Sequence, residues 1–338
     1  MILGIVTITA GLICAGLIVA LRPVLVRYAL ARPNARSSHK TPTPQGGGIA
    51  VLAASGLVAS IALALLTSPE NGSEIAVLGA AALALAAAGV IDDIRPLPAT
   101  IRIVVQVIAV IAVVVASGDE RILPDTIPPW VERGLIVLAG VWFVNLVNFM
   151  DGIDWITVAE VVPITAFVAL LGAAGVIPLW IAVIGAALLG ATLGFAPLNR
   201  PVAKLFLGDV GSLPIGLLVG WMLLKLAAMG ALAAATLLPL YYLADATLTL
   251  VRRLGRGERV WEAHRHHFYQ QAIDQNGFSV PAVVAHVFVL NLALAGLALA
   301  SLVWPSWPAQ LAAVATGGAL VGTLLRRFGS PRAKEATA

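Results

Sequence analysis

The strongest constraint on this chain is a succession of apolar stretches, each about as long as a membrane is thick. A membrane-spanning helix needs about 20 mostly apolar residues, and such stretches recur along the whole 338-residue sequence. Charged residues make up only 11% of the chain, whereas a soluble globular protein carries about 25%. The sequence therefore excludes an ordinary soluble enzyme, a disordered chain and a nucleic-acid-binding arm, and it predicts a membrane protein.

The apolar stretches favour helices over barrel strands. They exceed the roughly 10 residues of a membrane β-strand, and they show no alternation with a period of two. We therefore predict an all-α, polytopic integral membrane protein with a single domain over residues 1–338. The eleven predicted spans lie near residues 3–21, 46–67, 75–91, 101–117, 134–149, 156–174, 178–196, 212–228, 230–250, 281–303 and 309–325.

The basic residues predict the orientation of the chain. Cytoplasmic loops carry an excess of Lys and Arg, and one set of loops holds 18 of the 21 basic residues, whereas the opposite set holds Arg121 and Arg133. This distribution predicts an outside N-terminus and a cytoplasmic C-terminus. The cytoplasmic set is Arg22, Arg27, Arg32, Arg36, Lys40, Arg95, Arg102, Arg200, Lys204, Arg252, Arg253, Arg256, Arg259, Arg265, Arg326, Arg327, Arg332 and Lys334.

Five polar clusters interrupt the apolar background, and all five fall in the predicted cytoplasmic loops 22–45, 92–100, 147–156, 197–212 and 251–280 or directly beside them. The first cluster contains His39 and ends in the glycines 46–48 before a helix. Such glycines leave backbone N–H groups free to approach an anion, helped by the helix dipole. Gly47 is therefore a candidate phosphate contact, and a proline-stiffened turn is the alternative interpretation.

Two acidic clusters follow. Asp92 and Asp93 adjoin each other at the predicted end of the third helix, where a carboxylate opposes the helix dipole, so a capping role is poorly motivated there. Paired carboxylates at a membrane surface are costly unless they are solvated, paired or bound to a cation. Asn148, Asp151 and Asp154 follow the fifth span, and they would share one face if the helix continued.

The fourth cluster places Asp209 between Gly208 and Gly211 at the start of a helix. Asp209 is either a helix cap or an oxygen ligand for Mg²⁺. The fifth cluster is His264-Arg265-His266-His267. A closed zinc site needs four ligands and no cysteine is nearby, so phosphate binding or proton handling suits these side chains better.

Carboxylates, a glycine turn and a His/Arg loop on one face have a common chemical use. Carboxylates hold Mg²⁺, the metal neutralises a diphosphate, and cationic groups steady the remaining phosphate oxygens. The sequence therefore predicts a phosphoryl-transfer enzyme at the cytoplasmic surface of a membrane.

In this order, the clusters resemble the polyprenyl-phosphate N-acetylhexosamine-1-phosphate transferases of glycosyltransferase family 4, which are related to phospho-MurNAc-pentapeptide translocase. The resemblance rests on four motifs between Asp92 and His267, and the form of the histidine motif looks closest to the branch that initiates O-antigen. The motifs are Asp92-Asp93, Asn148-x-x-Asp151-Gly152-Ile153-Asp154, Gly208-Asp209-x-Gly211-Ser212 and His264-x-His266-His267.

The resemblance implies transfer of a sugar-1-phosphate from a UDP-N-acetylhexosamine to a polyprenyl phosphate, usually undecaprenyl phosphate, with release of UMP. It implies Mg²⁺, with Mn²⁺ as an alternative, and a multi-pass enzyme in the bacterial inner membrane whose site faces the cytoplasm. Initiation of a lipid-linked envelope glycan, such as the O-antigen of lipopolysaccharide, would be its role. A homodimer is compatible with the sequence, and no nucleic-acid partner is expected.

The resemblance also assigns roles to individual residues. Asp209 is the expected principal metal ligand with Asp93 beside it, and Asp92 or Asp93 is the expected base. The histidines His264, His266 and His267 are expected to be catalytic. The expected substrate-binding residues are His39, Gly47, Asn148, Asp151, Asp154 and Arg265.

Two alternatives remain at this stage. Within the same class, the reaction could proceed in two steps through an aspartyl-phosphate. From a different class, the chain could be a cation-coupled transporter, for which Glu160, Lys225 and Asp245 are the candidate intramembrane charges. A transporter would not place label from a UDP-sugar into a lipid.

Overall fold

The computed structural model of the protein describes residues 1–31, 42–66, 71–259 and 264–330. Most of this part of the chain is helical, because apolar segments in a membrane must satisfy their backbone hydrogen bonds internally. The helices are α1 (Ile2–Tyr28), α2 (Gly47–Leu66), α3 (Gly72–Ile94), α4 (Ala99–Ala116), α5 (Pro129–Met150), α6 (Ile156–Ala173), α7 (Leu179–Asn199), α8 (Asp209–Ala228), α9 (Leu232–Leu237), α10 (Leu240–Gly255), α11 (Phe268–Asp274), α12 (Val280–Val303) and α13 (Trp307–Gly329). A short antiparallel pair joins β1 (Leu30–Ala31) to β2 (Thr43–Pro44).

Within the described ranges, ten helices are long and apolar enough to cross a membrane, namely α1 to α8, α12 and α13. The predicted all-α polytopic membrane protein is therefore confirmed. The prediction of one continuous helix over 230–250 is wrong, because the chain there forms α9 and α10 with a break at Leu238 and Pro239. Proline has no backbone N–H to donate, so it interrupts the hydrogen-bond ladder of a helix.

The core of the protein is built around α7 and α8. α8 packs against α3 and α5, and α7 packs against α1, α2 and α6. Small residues permit the closest approaches, as expected for helix contacts in membranes. A Cβ atom on Gly190 of α7 would lie 1.9 Å from the carbonyl oxygen of Thr7 in α1. The two backbones therefore touch directly at this position.

Helices α3 and α8 run antiparallel and define two ends of the molecule. At one end, Lys225 near the end of α8 donates to Glu74 in the first turn of α3 at 2.8 Å and to Glu120 at 2.7 Å. We call this cluster of Glu74, Glu120 and Lys225 the ion-pair end. At the other end, the last turn of α3 meets the first turn of α8 through Asp93 and Asp209. We call this region the cavity end.

The broken helix α9–α10 runs between these two ends. It starts directly after the ion-pair end, where the N–H of Ala231 donates to the carbonyl of Leu226 in α8. Asp245 of α10 contacts His267 and the first residues of α11, and α11 reaches the cavity end through Tyr269, which donates to the carbonyl of Phe149. Together, the two short helices therefore replace the single ninth span that the sequence predicted.

Candidate active site

A cavity of about 790 Å³ lies at the cavity end. Four of the five polar clusters singled out in the sequence contribute to its wall, because helix ends of the same orientation meet on the same side of the bundle. Gln270, which follows the histidine cluster, also lines it. The polar residues that line the cavity are Thr43, Gln45, Asp93, Asn148, Asp151, Asp154, Asn199, Asp209 and Gln270.

Asp93 caps the N-terminus of α8. Its Oδ1 accepts the backbone N–H of Asp209 at 3.0 Å, and its Oδ2 accepts that of Val210 at 3.2 Å. Asp93 is not the cap of α3, the helix in whose last turn it lies and whose dipole opposes a carboxylate there; it caps a different helix, whose dipole favours a carboxylate at this point. Gly208 makes the approach possible, with a φ of 77° and no Cβ atom to collide with Asp93.

Asp209, the first residue of α8, faces the cavity. Its Oδ1 accepts a hydrogen bond from Asn148 Nδ2 at 2.8 Å, and the same amide donates to Ser212 at 2.9 Å. Its Oδ2 lies 3.9 Å from a guanidinium nitrogen of Arg102. Asp209 is not the cap of its own helix, so the metal-ligand interpretation of this residue is the one that its surroundings leave open.

Asp92 has different partners from those of Asp93. Its Oδ1 accepts the backbone N–H of Leu97 at 2.5 Å, and its Oδ2 pairs with Arg102 at 3.0 Å. Asp92 thereby closes the turn between α3 and α4 and holds Arg102 beside Asp209. It is not among the described residues that line the cavity.

The Asn148–Asp154 motif does not continue the helix of the fifth span, so the common face that a continued helix would give these side chains does not form. α5 ends at Met150, and Trp155 adopts a left-handed conformation with a φ of 66° before α6 begins. Asp151 accepts from the hydroxyl of Thr157, and Asp154 accepts the backbone N–H of Ala203 at 2.9 Å. The motif still delivers its polar side chains to the cavity, along an irregular turn.

Two backbone N–H groups of the glycine turn are not free, because they donate to carbonyls of the segment that precedes α8. The N–H of Gly47 donates to the carbonyl of Phe206, and that of Gly48 donates to Leu207, both at 2.9 Å. A Cβ atom on Gly48 would lie 2.2 Å from the Cα atom of Gly211. The predicted anion-binding N–H groups are therefore committed at these two positions, and the glycines join α2 to α8. His39 lies outside the described residues.

The histidine cluster lies beside the cavity but does not line it. His267 is buried, and its ring stacks on His264 with a centroid distance of 4.8 Å. His266 is exposed and lies 3.5 Å from Glu258. Arg265 pairs with Asp274 at 2.8 Å. Burial, together with the charges of His267 and Arg253, lowers the pKa of His264 to about 3, so this imidazole is neutral near pH 7.

The electrostatics of the cavity are strongly one-sided. Of the described residues that line it, four are aspartates and none is Lys, Arg or His. Burial raises the pKa of the Asp151 carboxyl to about 7, with contributions from the charges of Asp93 and Asp154 and against the hydrogen bond from Thr157. Among these described lining residues, a diphosphate entering alone would meet only like charge, so they are suited to a cation or to an anion that a cation accompanies.

Comparisons with known proteins show the family of the chain. The family model for glycosyl transferase family 4 matches residues 75–227, which run from α3 to α8. A decaprenyl-phosphate N-acetylglucosaminephosphotransferase of Mycobacterium leprae is 30% identical over 300 residues, which cover 77% of this chain and 74% of that protein. The chain belongs to glycosyl transferase family 4.

Two further relatives carry similar names. The decaprenyl-phosphate N-acetylglucosaminephosphotransferase of Mycolicibacterium smegmatis is 31% identical over 241 residues, and the match covers 64% of this chain but only 58% of that protein. A probable undecaprenyl-phosphate N-acetylglucosaminyl 1-phosphate transferase of Bacillus subtilis is 24% identical over 276 residues, or 74% of this chain and 73% of that protein. The resemblance to the polyprenyl-phosphate N-acetylglucosamine-1-phosphate transferase superfamily is therefore confirmed.

The carboxylates of this family 4 chain fit a magnesium ion. Mg²⁺ is usually bound through one or two carboxylates, with waters and substrate phosphates completing its shell. Asp209 and Asp93 both line the cavity, and the backbone N–H of Asp209 donates to the carboxylate of Asp93. Among the described residues, no group of three or more His, Cys, Asp or Glu side chains is placed to hold a metal by itself. Two carboxylates are therefore the protein ligands that the described residues offer at this position.

Two residues at the family 4 site were not singled out in the sequence. Arg102 was counted only as a basic loop residue, although it bridges Asp92 and Asp209. Asn199 accepts the N–H of Trp155 at 2.8 Å and lines the cavity. Polar residues directly before or after an apolar stretch were the available signal for both. Gln45, a member of the first polar cluster, donates to the backbone carbonyl of Asp93 at 2.7 Å and lines the cavity.

Proposed function

We propose that this family 4 transferase moves N-acetylglucosamine-1-phosphate, or a related N-acetylhexosamine-1-phosphate, from a UDP-sugar to a polyprenyl phosphate and releases UMP. The observation that carries the proposal is the cavity with four aspartates and no basic residue among its described lining. Such a cavity suits a magnesium-bound diphosphate, and the relatives are named as polyprenyl-phosphate N-acetylglucosamine phosphotransferases.

In this proposal, Asp209 and Asp93 hold the metal. Bound Mg²⁺ supplies charge neutralisation at the diphosphate and at the leaving UMP. Asn148 fixes one oxygen of Asp209 by its hydrogen bond, so that the other oxygen faces the cavity with Arg102 at 3.9 Å. The amides of Asn148, Asn199 and Gln270 line the cavity and offer hydrogen bonds to the sugar and the nucleotide.

The acceptor phosphate attacks the sugar-linked phosphorus directly in this scheme. The two oxygens of Asp93 are engaged by α8, and those of Asp92 are engaged by Leu97 and Arg102. These contacts suit both aspartates to holding charge in place more than to forming a covalent aspartyl-phosphate. The single-step route is therefore the one we favour.

The setting of the reaction is also part of the proposal. The basic loops favour a cytoplasmic position for the cavity end, in the inner membrane of a bacterium. The product would initiate a lipid-linked envelope glycan. Initiation of O-antigen stays a prediction, as does a homodimer. A cation-coupled transporter is not favoured, because Lys225 and Asp245 are both buried with partners in the described structure.

The experiment is a transfer assay in detergent with the purified protein, labelled UDP-GlcNAc, undecaprenyl phosphate and Mg²⁺. We expect label in the organic phase with release of UMP, and loss of transfer in EDTA that added Mg²⁺ or Mn²⁺ restores. A panel with UDP-GalNAc and UDP-6-deoxy-N-acetylhexosamines then ranks the donors. Label that stays in the aqueous phase for every donor would overturn the proposal.

A further inference from the structure

Asp245 is the most heavily bonded carboxylate away from the cavity wall. Its side chain is fully buried in α10. Oδ1 accepts from the N–H of Phe268 at 3.0 Å, from His267 Nδ1 at 3.1 Å and from the hydroxyl of Thr249 at 3.4 Å. Oδ2 accepts from the N–H of Tyr269 and from the hydroxyl of Tyr241, both at 3.2 Å. Five donors around one side chain require an acceptor at both oxygens, which only a carboxylate provides.

This carboxylate fixes the ring of His267. Because a carboxylate only accepts, Nδ1 of His267 must carry the proton. The ring lies between His264, at a centroid distance of 4.8 Å, and Tyr269, at 5.7 Å. Nε2 has no hydrogen-bond partner among the described residues, and the side chain is 4% exposed. Asp245 therefore fixes the orientation of the His267 ring and makes Nε2 the nitrogen without a proton.

The same contacts attach the histidine loop to the rim of the cavity. Tyr269, whose N–H is held by Asp245, donates its hydroxyl to the carbonyl of Phe149 at 3.3 Å. Gln270 accepts the N–H of His267 at 3.3 Å and lines the cavity. Gly152 leaves room for the hydroxyl of Tyr269, since a Cβ atom on Gly152 would lie 2.2 Å from the hydroxyl oxygen.

We propose that Asp245 is a positioning residue for the transfer reaction: it holds His267 as the Nδ1–H form and presents Nε2 to the substrate phosphates at the rim of the cavity. The inference rests on the proposed function. A carboxylate that only stabilised α11 would need its two bonds to backbone N–H groups and no bond to an imidazole. The bond to the ring is what couples Asp245 to chemistry, as in histidines whose second nitrogen is fixed by a carboxylate.

Asp245→Asn tests the proposal, with Tyr241→Phe and Thr249→Val as matched controls. All three variants change a bond to the same buried side chain, but only Asp245→Asn replaces the carboxylate that faces His267 by a neutral amide, which has one accepting oxygen and an NH₂ group that cannot accept. We expect kcat of Asp245→Asn to fall by about 10- to 100-fold with KM for the UDP-sugar nearly unchanged, and both controls to stay near the wild-type rate. Equal losses in all three variants would overturn the proposal.

A double-variant cycle shows whether Asp245 acts through His267. In the His267→Gln background, the further change Asp245→Asn should have almost no additional effect on kcat, because coupled residues are non-additive. Independent losses that multiply would mean that Asp245 merely stabilises the fold, and they would overturn the proposal.

Nitrogen-15 NMR of labelled histidine gives a readout that does not depend on activity. In the wild-type protein at pH 8, His267 should be the Nδ1–H tautomer, and Asp245→Asn should shift it towards Nε2–H. An Nε2–H tautomer in the wild type would overturn the proposal even if Asp245→Asn failed to fold. If the wild type transferred no sugar phosphate, the proposed function would fail, while this measurement would still decide the link between Asp245 and His267.

Discussion

Helices α3 and α8 lie side by side and bring acidic residues together at both of their ends, but the two ends compensate charge differently. At the ion-pair end, the buried Glu74 accepts from Lys225, Ser117 and Trp221, so every charge has a partner. At the cavity end, Asp93 and Asp209 adjoin, and the nearest cation to Asp209 in the described structure is Arg102 at 3.9 Å.

The difference indicates that the ion-pair end contributes to the stability of the fold, whereas the cavity end leaves acidic side chains available to a ligand. A buried charge without compensation is costly, so a fold tolerates one only where a bound partner supplies the missing charge. The ion-pair end is complete without any addition. In the proposed function, the cavity end is completed when a cation and its phosphates bind.

The largest effect is expected from Asp209→Asn at the cavity end. Removal of the carboxylate should abolish magnesium-dependent transfer, with a loss of about 10³-fold or more, since a bound metal is worth several kcal/mol of charge stabilisation. The melting temperature should stay unchanged or rise, because a like charge beside Asp93 is removed. Transfer assays and thermal unfolding in detergent measure the two quantities.

The matched control for this variant is Asp125→Asn, because Asp125 is a fully exposed acid outside the cavity. It should leave transfer at the wild-type rate. A near-normal rate in Asp209→Asn would remove this residue from the metal site and break the comparison at the cavity end.

Lys225→Met should have the opposite pattern at the ion-pair end. It leaves Glu74 buried without its cation, which typically costs about 3–5 kcal/mol of unfolding free energy. The rate per folded molecule should stay close to that of the wild type, because the cavity is at the other end of α8. Unfolding in detergent, with the transfer rate normalised to folded protein, measures both.

The double variant Glu74→Gln with Lys225→Met provides the control. It removes both charges, so most of the lost stability should return. If the double variant were as unstable as Lys225→Met alone, packing and not the unpaired charge would explain the loss.

Gly89→Ala should lower the transfer rate by less than Asp209→Asn does, because it changes only the spacing of α3 and α8. A Cβ atom at this position of α3 would lie 2.4 Å from the backbone carbonyl carbon of Asp209, so α3 and α8 must move apart. Displacement of catalytic groups by about 1 Å can cost 10²-fold in rate, and we expect a loss of that order. Gly79→Ala in the same helix, with nothing within 4 Å, should retain full transfer and shows whether α3 tolerates alanine.

The smallest effect is a dependence of stability on pH at the cavity end. The pKa of Asp151 is raised to about 7, so the folded protein binds a proton that the unfolded chain releases near pH 4. Stability from this group is therefore present below pH 4 and is lost as pH rises towards 7. Without divalent cations, the melting temperature of Asp151→Asn should lack the part of this decline that the wild type shows between pH 5 and pH 7.5.

Magnesium should reduce the same dependence, because a cation in the cavity favours the ionised carboxyl. An identical pH profile in the wild type and in Asp151→Asn would show that the Asp151 carboxyl ionises at ordinary values, and it would weaken the contrast between the two ends.

The hydropathy pattern predicts the membrane class and most of the helices, because a bilayer forces apolar segments into helices of a set length. It also predicts that the polar motifs belong together, since they end or begin helices on the same side. It does not predict the break at Pro239, because leucine and alanine flank this proline as they fill intact spans. A hydropathy average taken over the length of a membrane span does not detect a break of this size.

The lateral order of the helices is what the sequence leaves open. Asp93 and the amide of Asp209 are separated by 116 positions, and no local pattern states that α3 lies beside α8. For the same reason the cap on α8, the bridge made by Arg102 and the link from Asp245 to His267 emerge only from packing. Asp245 illustrates the difference, because the same buried acid suggests ion transport in the sequence and holds a histidine in the structure.

The glycine contacts at the cavity end have a consequence for how the protein is made. Gly48 of α2 rests on Gly211 of α8, and Gly89 of α3 rests on Asp209. Since chains are synthesised from the N-terminus, α2 and α3 enter the membrane long before α8 is translated. Well over half of the chain is therefore made before α8 can join α2 and α3 and complete the cavity end. In the proposed function, a shorter nascent chain cannot bind a metal between Asp93 and Asp209.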